Sequence, residues 1–191
     1  MSLTPGSVRG MTTTSENSQY LRLLGEQVGH ELAAHLQYVA IAVWFDSHDL
    51  PQLAAHFYRQ ALEERNHGMM IVQYHLDRGL PVQIPGTPAV RNDFADVIEP
   101  LQLALDQEQQ VTRQIEAIFR AAREEGDALG EQFLMWFLEE QVEEVAAATT
   151  LVTVAKRAGN NLFDLENYVA RETIGDAGES ASAPKAAGGA L

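Results

Sequence analysis

The chain has no cysteine in its 191 residues. That excludes disulfides, thiolate zinc sites and cysteine nucleophiles, and it fits a reducing compartment. Basic residues are also scarce: 13 Lys and Arg stand against 27 Asp and Glu, a formal net charge of −14. A surface of that sign repels a phosphate backbone, so nucleic acid is a poor partner and metal cations are good ones. No apolar run approaches the ~20 residues of a membrane span, and the opening MSLTPGSVRGMTTTSENS holds no apolar block of signal-peptide length. The expectation is a cytoplasmic protein without a membrane partner, whose chemistry rests on oxygen and nitrogen ligands.

What the chain does have is helical periodicity. Leu24, Val28, Glu31, His35, Tyr38, Ala42 and Phe45 recur at three- and four-residue steps, on one face of a first helix from about Ser18 to Asp46. Asp49 reads as the cap of a second helix with Pro51 in its first turn, and its inward stripe is Leu53, Phe57, Gln60, Glu64, His67, Ile71 and Tyr74. The proline-rich DRGLPVQIPGTPAVRND ends it. A third helix starts near Glu99 and Pro100, carries Leu101, Leu105, Glu108, Thr112, Ile115 and Phe119 inward, and stops at Gly126. Asp127 caps a fourth, with Phe133, Trp136, Phe137, Glu140, Glu144, Ala148 and Leu151 facing in, and NNLFDLENYVARE after Gly159 is a short fifth. The expected organisation is one all-α domain over residues 18–172, with mobile tails over 1–17 and 173–191.

Loop lengths constrain the topology. The first and last long joins are a few residues, which makes two antiparallel hairpins. A helix of about 28 residues is ~42 Å long, and the ~18-residue segment between second and third helices can stretch to ~60 Å. It can cross the bundle end to end, so those two helices run parallel, unlike the up-down-up-down order that short loops impose.

Each of the four long helices carries a carboxylate in the stripe that should be apolar: Glu31, Glu64, Glu108 and Glu144. A buried ionised carboxylate is costly without a compensating partner, and Lys and Arg are too few at matching positions. A pair of divalent cations would compensate all four. Glu64 and His67, at i and i+3, project from one side of their helix and can share a metal. A lone Glu-x-x-His more often decorates a solvated face; the joint pattern of four inward carboxylates is what favours a metal. Met69 and Met70 read as core filler, and His30, His48, His56 and His75 as surface or rim. Trp136 and Tyr38 read first as packing residues flanking the site.

With these motifs the chain resembles the haem-free bacterial ferritins, most closely the actinobacterial or mycobacterial type, over roughly residues 18–172. Glu31 with Tyr38, the run EERNH, Glu108 in LDQEQQV and WFLEEQVEE carry the resemblance. It implies a ferritin-like four-helix bundle with a long crossover and a fifth helix. It further implies Glu31, Glu64 and His67 as ligands of a first iron, and Glu64, Glu108 and Glu144 as those of a second, with Gln141 beside it. A third iron position would use Glu63, Glu140, Glu143 and Glu144. The implied activity is ferroxidation: Fe(II) is oxidised by dioxygen or peroxide and stored as Fe(III) mineral inside a shell of twenty-four chains.

The chain departs from its haem-containing relatives, the bacterioferritins. Gln141 is followed at i+3 by Glu144, so the second Glu-x-x-His of a symmetric di-iron site is absent, and the second iron should be held less firmly. Arg65 stands where the haem-binding methionine would follow Glu64, so no haem is expected at that interface. At the three-fold channel Glu131 matches the first carboxylate position, but Leu134 occupies the next. A haem bacterioferritin, and a DNA-protecting mini-ferritin with its iron between subunits, are the alternatives. More distant are a reductase- or oxygenase-like bundle and a purely structural oligomer.

Overall fold

The structure, a computed structural model, describes residues 18–172 and 182–191. Five helices run in chain order: α1 Gln19–Asp46, α2 Pro51–Asp77, α3 Ile98–Glu125, α4 Ala128–Ala158 and α5 Leu162–Arg171. Their ends are set largely by side-chain caps. Ser18 Oγ accepts from the Leu21 N–H at 3.0 Å, and Glu125 at the far end of α3 accepts from the Tyr20 N–H at 2.9 Å. Gly126 stops α3 in the left-handed region at φ 71, where a side chain would be strained, and Asp127 Oδ1 then accepts from the Gly130 N–H at 2.9 Å to start α4.

One helix start differs from the sequence reading, and another agrees with it to within a residue. Asp49 does not cap α2: it sits in the reversing turn at φ 55, a conformation Asp tolerates, and Leu50 is the N-cap with no side-chain bond. The free N–H groups of Gln52 and Leu53 donate to the Glu166 carboxylate of α5 at 2.8 and 2.9 Å. The third helix begins at Ile98, because Asp96 Oδ1 accepts from the Ile98 and Glu99 N–H groups at 2.8 and 3.1 Å.

Cross-helix bonds fix the directions. The start of α1 meets the end of α3 through Tyr20 and Glu125, and Tyr38 meets Glu108, so α1 and α3 are antiparallel. Arg78 Nη1 at the end of α2 bonds Asp127 Oδ2 before α4 at 2.7 Å, and Gln60 reaches Glu144, so α2 and α4 are antiparallel too. With α1 and α2 joined as a hairpin, α2 and α3 run parallel, as the crossover length implied. Segment 78–97 spans the bundle over α1. Arg91 exchanges two backbone bonds of 2.8 Å with the Gln37 amide, and Pro85 presses on Gly29, where a Cβ would come within 2.6 Å of Pro85 Cγ.

The core is divided in two along the bundle axis. One apolar cluster gathers Ile41, Phe45, Leu53, Phe57, Leu101, Leu151 and Leu165, the other Tyr20, Leu24, Val28, Ile71, Ile115, Leu134 and Phe137. On all four helices the residues between them in sequence are the buried polar ones: Glu31, Glu64, His67, Glu108, Gln141 and Glu144. Leu134, which stands at the second channel position that the resemblance implies, is fully buried in the second cluster.

Of the expected tails, 1–17 and 173–181 lie outside the described residues. Residues 182–191 run along α2, where the Ala187 N–H donates to the Met69 carbonyl at 3.0 Å and Leu191 meets Asn66. Among the described residues no helix is long and apolar enough to cross a membrane.

Candidate metal centre

Four carboxylates from four helices meet in the polar layer, each nearly inaccessible: Glu31 is 1% exposed, Glu64 2%, Glu108 2% and Glu144 4%. No Lys or Arg pairs with any of them among the described residues. Burial at this level is unsustainable for four isolated anions. Burial accordingly raises the proton affinity of three of them. Burial, followed by the Glu108 and Glu31 charges, raises the Glu64 pKa far above the carboxylate range. Burial, then Glu108 and Glu63, does the same to Glu144. Glu108 is raised by burial to about 7, with the Tyr38 hydrogen bond pulling it back down.

Glu31, Glu64 and His67 bring one donor atom each within 4.8 Å of one another, and all three are buried. His67 Nδ1 lies 3.7 Å from Glu64 Oε2. Glu31 Oε1 accepts from Gln27 Nε2 at 2.8 Å, while its Oε2, equally buried, has no hydrogen-bond partner. An orphaned carboxylate oxygen beside a second carboxylate and an imidazole fits a first-row divalent cation, and this donor set suits iron. Gly68 permits the close approach: a Cβ there would stand 3.3 Å from Glu31 Cβ.

Glu108 and Glu144 point elsewhere. The Tyr38 hydroxyl donates to Glu108 Oε1. Gln141 Nε2 lies 3.5 Å from Glu108 Oε2, while its Oε1 faces the Thr112 hydroxyl at 2.8 Å. Glu144 Oε1 lies 3.5 Å from Gln60 Nε2, and Gln60 also donates to Glu63. Tyr38, Gln60, Glu108 and Glu144 border a cavity of about 10 Å³, which Phe57 and Leu151 also line. It has room for about one water.

A second constellation, Glu63, His67 and Glu140, also brings its donor atoms within 4.8 Å, and both of its glutamates are half-exposed. His67 thus belongs to both groups. The positions implied for a third iron are only partly gathered here: Glu63 and Glu140 meet, Glu144 is turned to Gln60, and Glu143 is exposed on α4 outside both groups. Trp136 stands edge-on to the His67 ring with centroids 5.5 Å apart.

Two histidines correct the sequence reading. His56 and His75, expected at surface or rim, are 3% and 2% exposed. His56 sits at i−4 from Gln60 and so shares the inward face, packed edge-on against Phe57 at 5.0 Å. His75 lies in the groove between α1 and the crossover, its Nδ1 2.9 Å from the Ile71 carbonyl oxygen. Gln60 and Thr112 were legible only as stripe members. Their bonds to the charged layer depend on α4, which sequence spacing on their own helices does not reveal.

Comparison with known proteins points to one family. The family described as ferritin-like domain matches residues 21–158. A protein of Mycolicibacterium smegmatis named ferritin BfrB is 58% identical over 175 residues, 92% of this chain and 96% of that one. A bacterial non-heme ferritin of Staphylococcus aureus is 37% identical over 148 residues, 78% and 89% of the two chains. An open-pore ferritin of the archaeon Archaeoglobus fulgidus superposes with a TM-score of 0.78, covering 82% of this chain and 98% of that one. At 24% identity it supports the fold alone.

Proposed function

The chain belongs to the ferritin family and is an iron-storage ferritin with ferroxidase activity; we propose that the polar layer between its two apolar clusters is where Fe(II) is oxidised. Glu31, Glu64 and His67 hold the first ferrous ion; Glu64, Glu108 and Glu144 hold the second, with Gln141 beside it. The observation that carries this reading is the buried trio Glu31, Glu64 and His67, whose donor atoms lie within 4.8 Å of one another while the Glu31 carboxylate keeps a buried oxygen without a hydrogen-bond partner.

Each Fe(II) gives up one electron, and dioxygen takes two electrons and two protons to leave as hydrogen peroxide. Hard anionic oxygen donors favour the ferric product electrostatically. Glu64 and Glu144 must lose their protons as iron binds, so those protons are released close to where dioxygen is reduced. Fe(III) then passes through Glu63 and Glu140, the half-exposed pair that shares His67, with Glu143 beyond them, and hydrolyses on an acidic inner surface. Tyr38 and Trp136 flank the layer as oxidisable aromatics. We assign this chemistry to a cytoplasmic shell of twenty-four chains without haem at the Arg65 position. Support comes from the homologous ferritins and from Arg65, whose guanidinium donates to Asn66 Oδ1 at 3.2 Å.

The test is to add Fe(II) anaerobically to iron-free protein, admit air, and follow ferric absorbance together with particle size. A wild-type rate no faster than buffer, or a particle far smaller than a shell, overturns the proposal. Glu64→Ala combined with His67→Ala should slow oxidation by about ten-fold or more with the shell intact, and an unchanged rate would mean that other carboxylates do the work.

A further inference from the structure

Gln60 has no part in the ligand set, yet it links Glu144, a proposed ligand of the second iron, to Glu63 on the proposed exit path. Its side chain is 7% exposed, at i−4 from Glu64 and i−3 from Glu63 on α2. Its Nε2 donates to Glu63 Oε2 and lies 3.5 Å from Glu144 Oε1 on α4. A primary amide carries two N–H groups on that nitrogen, so both carboxylates can be held at once. Among the described residues no Cα of α2 comes within 8 Å of one of α4. The gap at this level is therefore bridged by long polar side chains, and the amide is one of them.

We infer that Gln60 is a positioning residue for iron transit: it steers the Glu144 carboxylate between the second iron position and Glu63, so that ferric iron released from the one is met by the other. This rests on the ferroxidase reading above. The chemistry suits the task. A neutral amide attracts carboxylates without adding a charge that would repel the cation. It also releases them readily, since a metal–carboxylate contact outweighs a single amide hydrogen bond. A Lys or Arg in its place would bind both glutamates more firmly and repel iron. Gln60 and Glu144 border the same water-sized cavity, so the Glu144 carboxylate is not packed solid on that side.

The experiment separates the first round of oxidation from recovery of the site. Two Fe(II) per chain are mixed with aerated protein, the ferric signal is allowed to finish, and the same dose is repeated after increasing delays. Gln60→Met keeps the side-chain length and removes both N–H groups; Gln60→His keeps a ring N–H. In Gln60→Met the first round should stay within about two-fold of wild type while recovery slows by at least about five-fold, and Gln60→His should restore much of it. Wild-type recovery in Gln60→Met overturns the role. So does a first round slowed as much as recovery, or a Gln60→His no better than Gln60→Met, since a packing defect would do either. If the wild-type chain itself oxidises no faster than buffer, the ferroxidase assignment falls and this inference with it.

Discussion

The Tyr38 hydroxyl on α1 donates to Glu108 Oε1 on α3, across 70 residues of sequence. The two residues stand where the polar layer meets the first apolar cluster, with the Tyr38 ring edge-on to Phe57 at 5.5 Å. Burial, then the Glu108 and Glu64 charges, raises the phenol pKa well above its ordinary value, so Tyr38 is a committed donor. Its bond offsets part of the burial that raises Glu108 to about 7. A proposed ligand of the second iron is thus kept closer to its ionised, metal-binding form by a residue on the neighbouring helix.

Tyr38→Phe should leave packing intact and remove that support. Loss of a hydrogen bond to a buried charge costs about 1–3 kcal/mol, so thermal unfolding of the iron-free protein at pH 8 should occur several degrees lower. At pH 5, where Glu108 is largely protonated even with Tyr38 present, the loss should shrink. Melting curves of both proteins at the two pH values check this, and an equal loss at both would mean that Tyr38 acts through packing.

The raised carboxylates also predict proton release. Glu108 has an ordinary value of 4.5 and a value of about 7 in the folded chain. The folded protein therefore binds more protons than the unfolded one in that window. The stability this provides is complete below pH 4.5 and is lost as pH rises through 7. A metal reverses the balance by requiring the ionised form. Zinc, which is redox-silent, should displace more protons per ion at pH 6 than at pH 8, measured by titrating weakly buffered protein with a pH indicator.

Much of this was legible in the sequence because two periodicities coincide. Glu31, Glu64, Glu108 and Glu144 fall in stripes that are otherwise apolar, and only an inward position reconciles both facts. Gly126, Asp127 and the long proline-rich crossover gave the helix ends and the chain directions. What stayed hidden depends on contacts between helices. Spacing on α2 shows Glu63, Glu64 and His67 as neighbours, but not that Glu144 turns to Gln60, nor that His67 is shared with Glu140. His56 and His75 are polar by type and buried by packing against other segments. Asp49 has the right chemistry for a cap, but the tight turn takes it into the left-handed region and passes the cap to Glu166, more than a hundred residues away.

Glu166 ties α5 to the helix that carries most of the site. Two N–H groups at the start of α2 donate to its carboxylate, which also complements the helix dipole. Glu166→Ala should destabilise the chain by about 0.5–2 kcal/mol, seen as a lower melting temperature. The first round of iron oxidation should be unchanged, since the polar layer lies several turns away along α2.

Thr112 sets the orientation of Gln141. With its hydroxyl against Gln141 Oε1 at 2.8 Å, the amide nitrogen is turned toward Glu108. Thr112→Val removes the donor but keeps the shape, and the amide becomes free to turn its oxygen inward as a metal ligand. The second zinc ion should then bind more tightly, by about ten-fold if one charge-assisted contact is gained. Thr112→Ser should behave as wild type. Calorimetric titration resolves the two sites, and equal affinities in Thr112→Val and wild type would remove Thr112 from the account.

Gly68 is the last control on the site's geometry. A methyl group at this position would stand 3.3 Å from Glu31 Cβ and 3.6 Å from the Val28 carbonyl oxygen. The contact with Glu31 Cβ is tight enough to make α1 and α2 separate by a few tenths of an ångström, next to the residues proposed to bind the first iron. Alanine is otherwise the better helix former, by about 1 kcal/mol in an exposed helix interior. The two effects oppose each other in stability but not in activity. Gly68→Ala should therefore melt near the wild-type temperature while binding the first zinc ion more weakly, because the Glu31 carboxylate moves away from His67 and Glu64. Zinc affinity and melting temperature measured on the same preparation decide it. A variant with unaltered affinity would show that the Glu31 carboxylate adapts to the shift, and a variant that loses both would show that the helix contact, not the metal geometry, is what Gly68 protects.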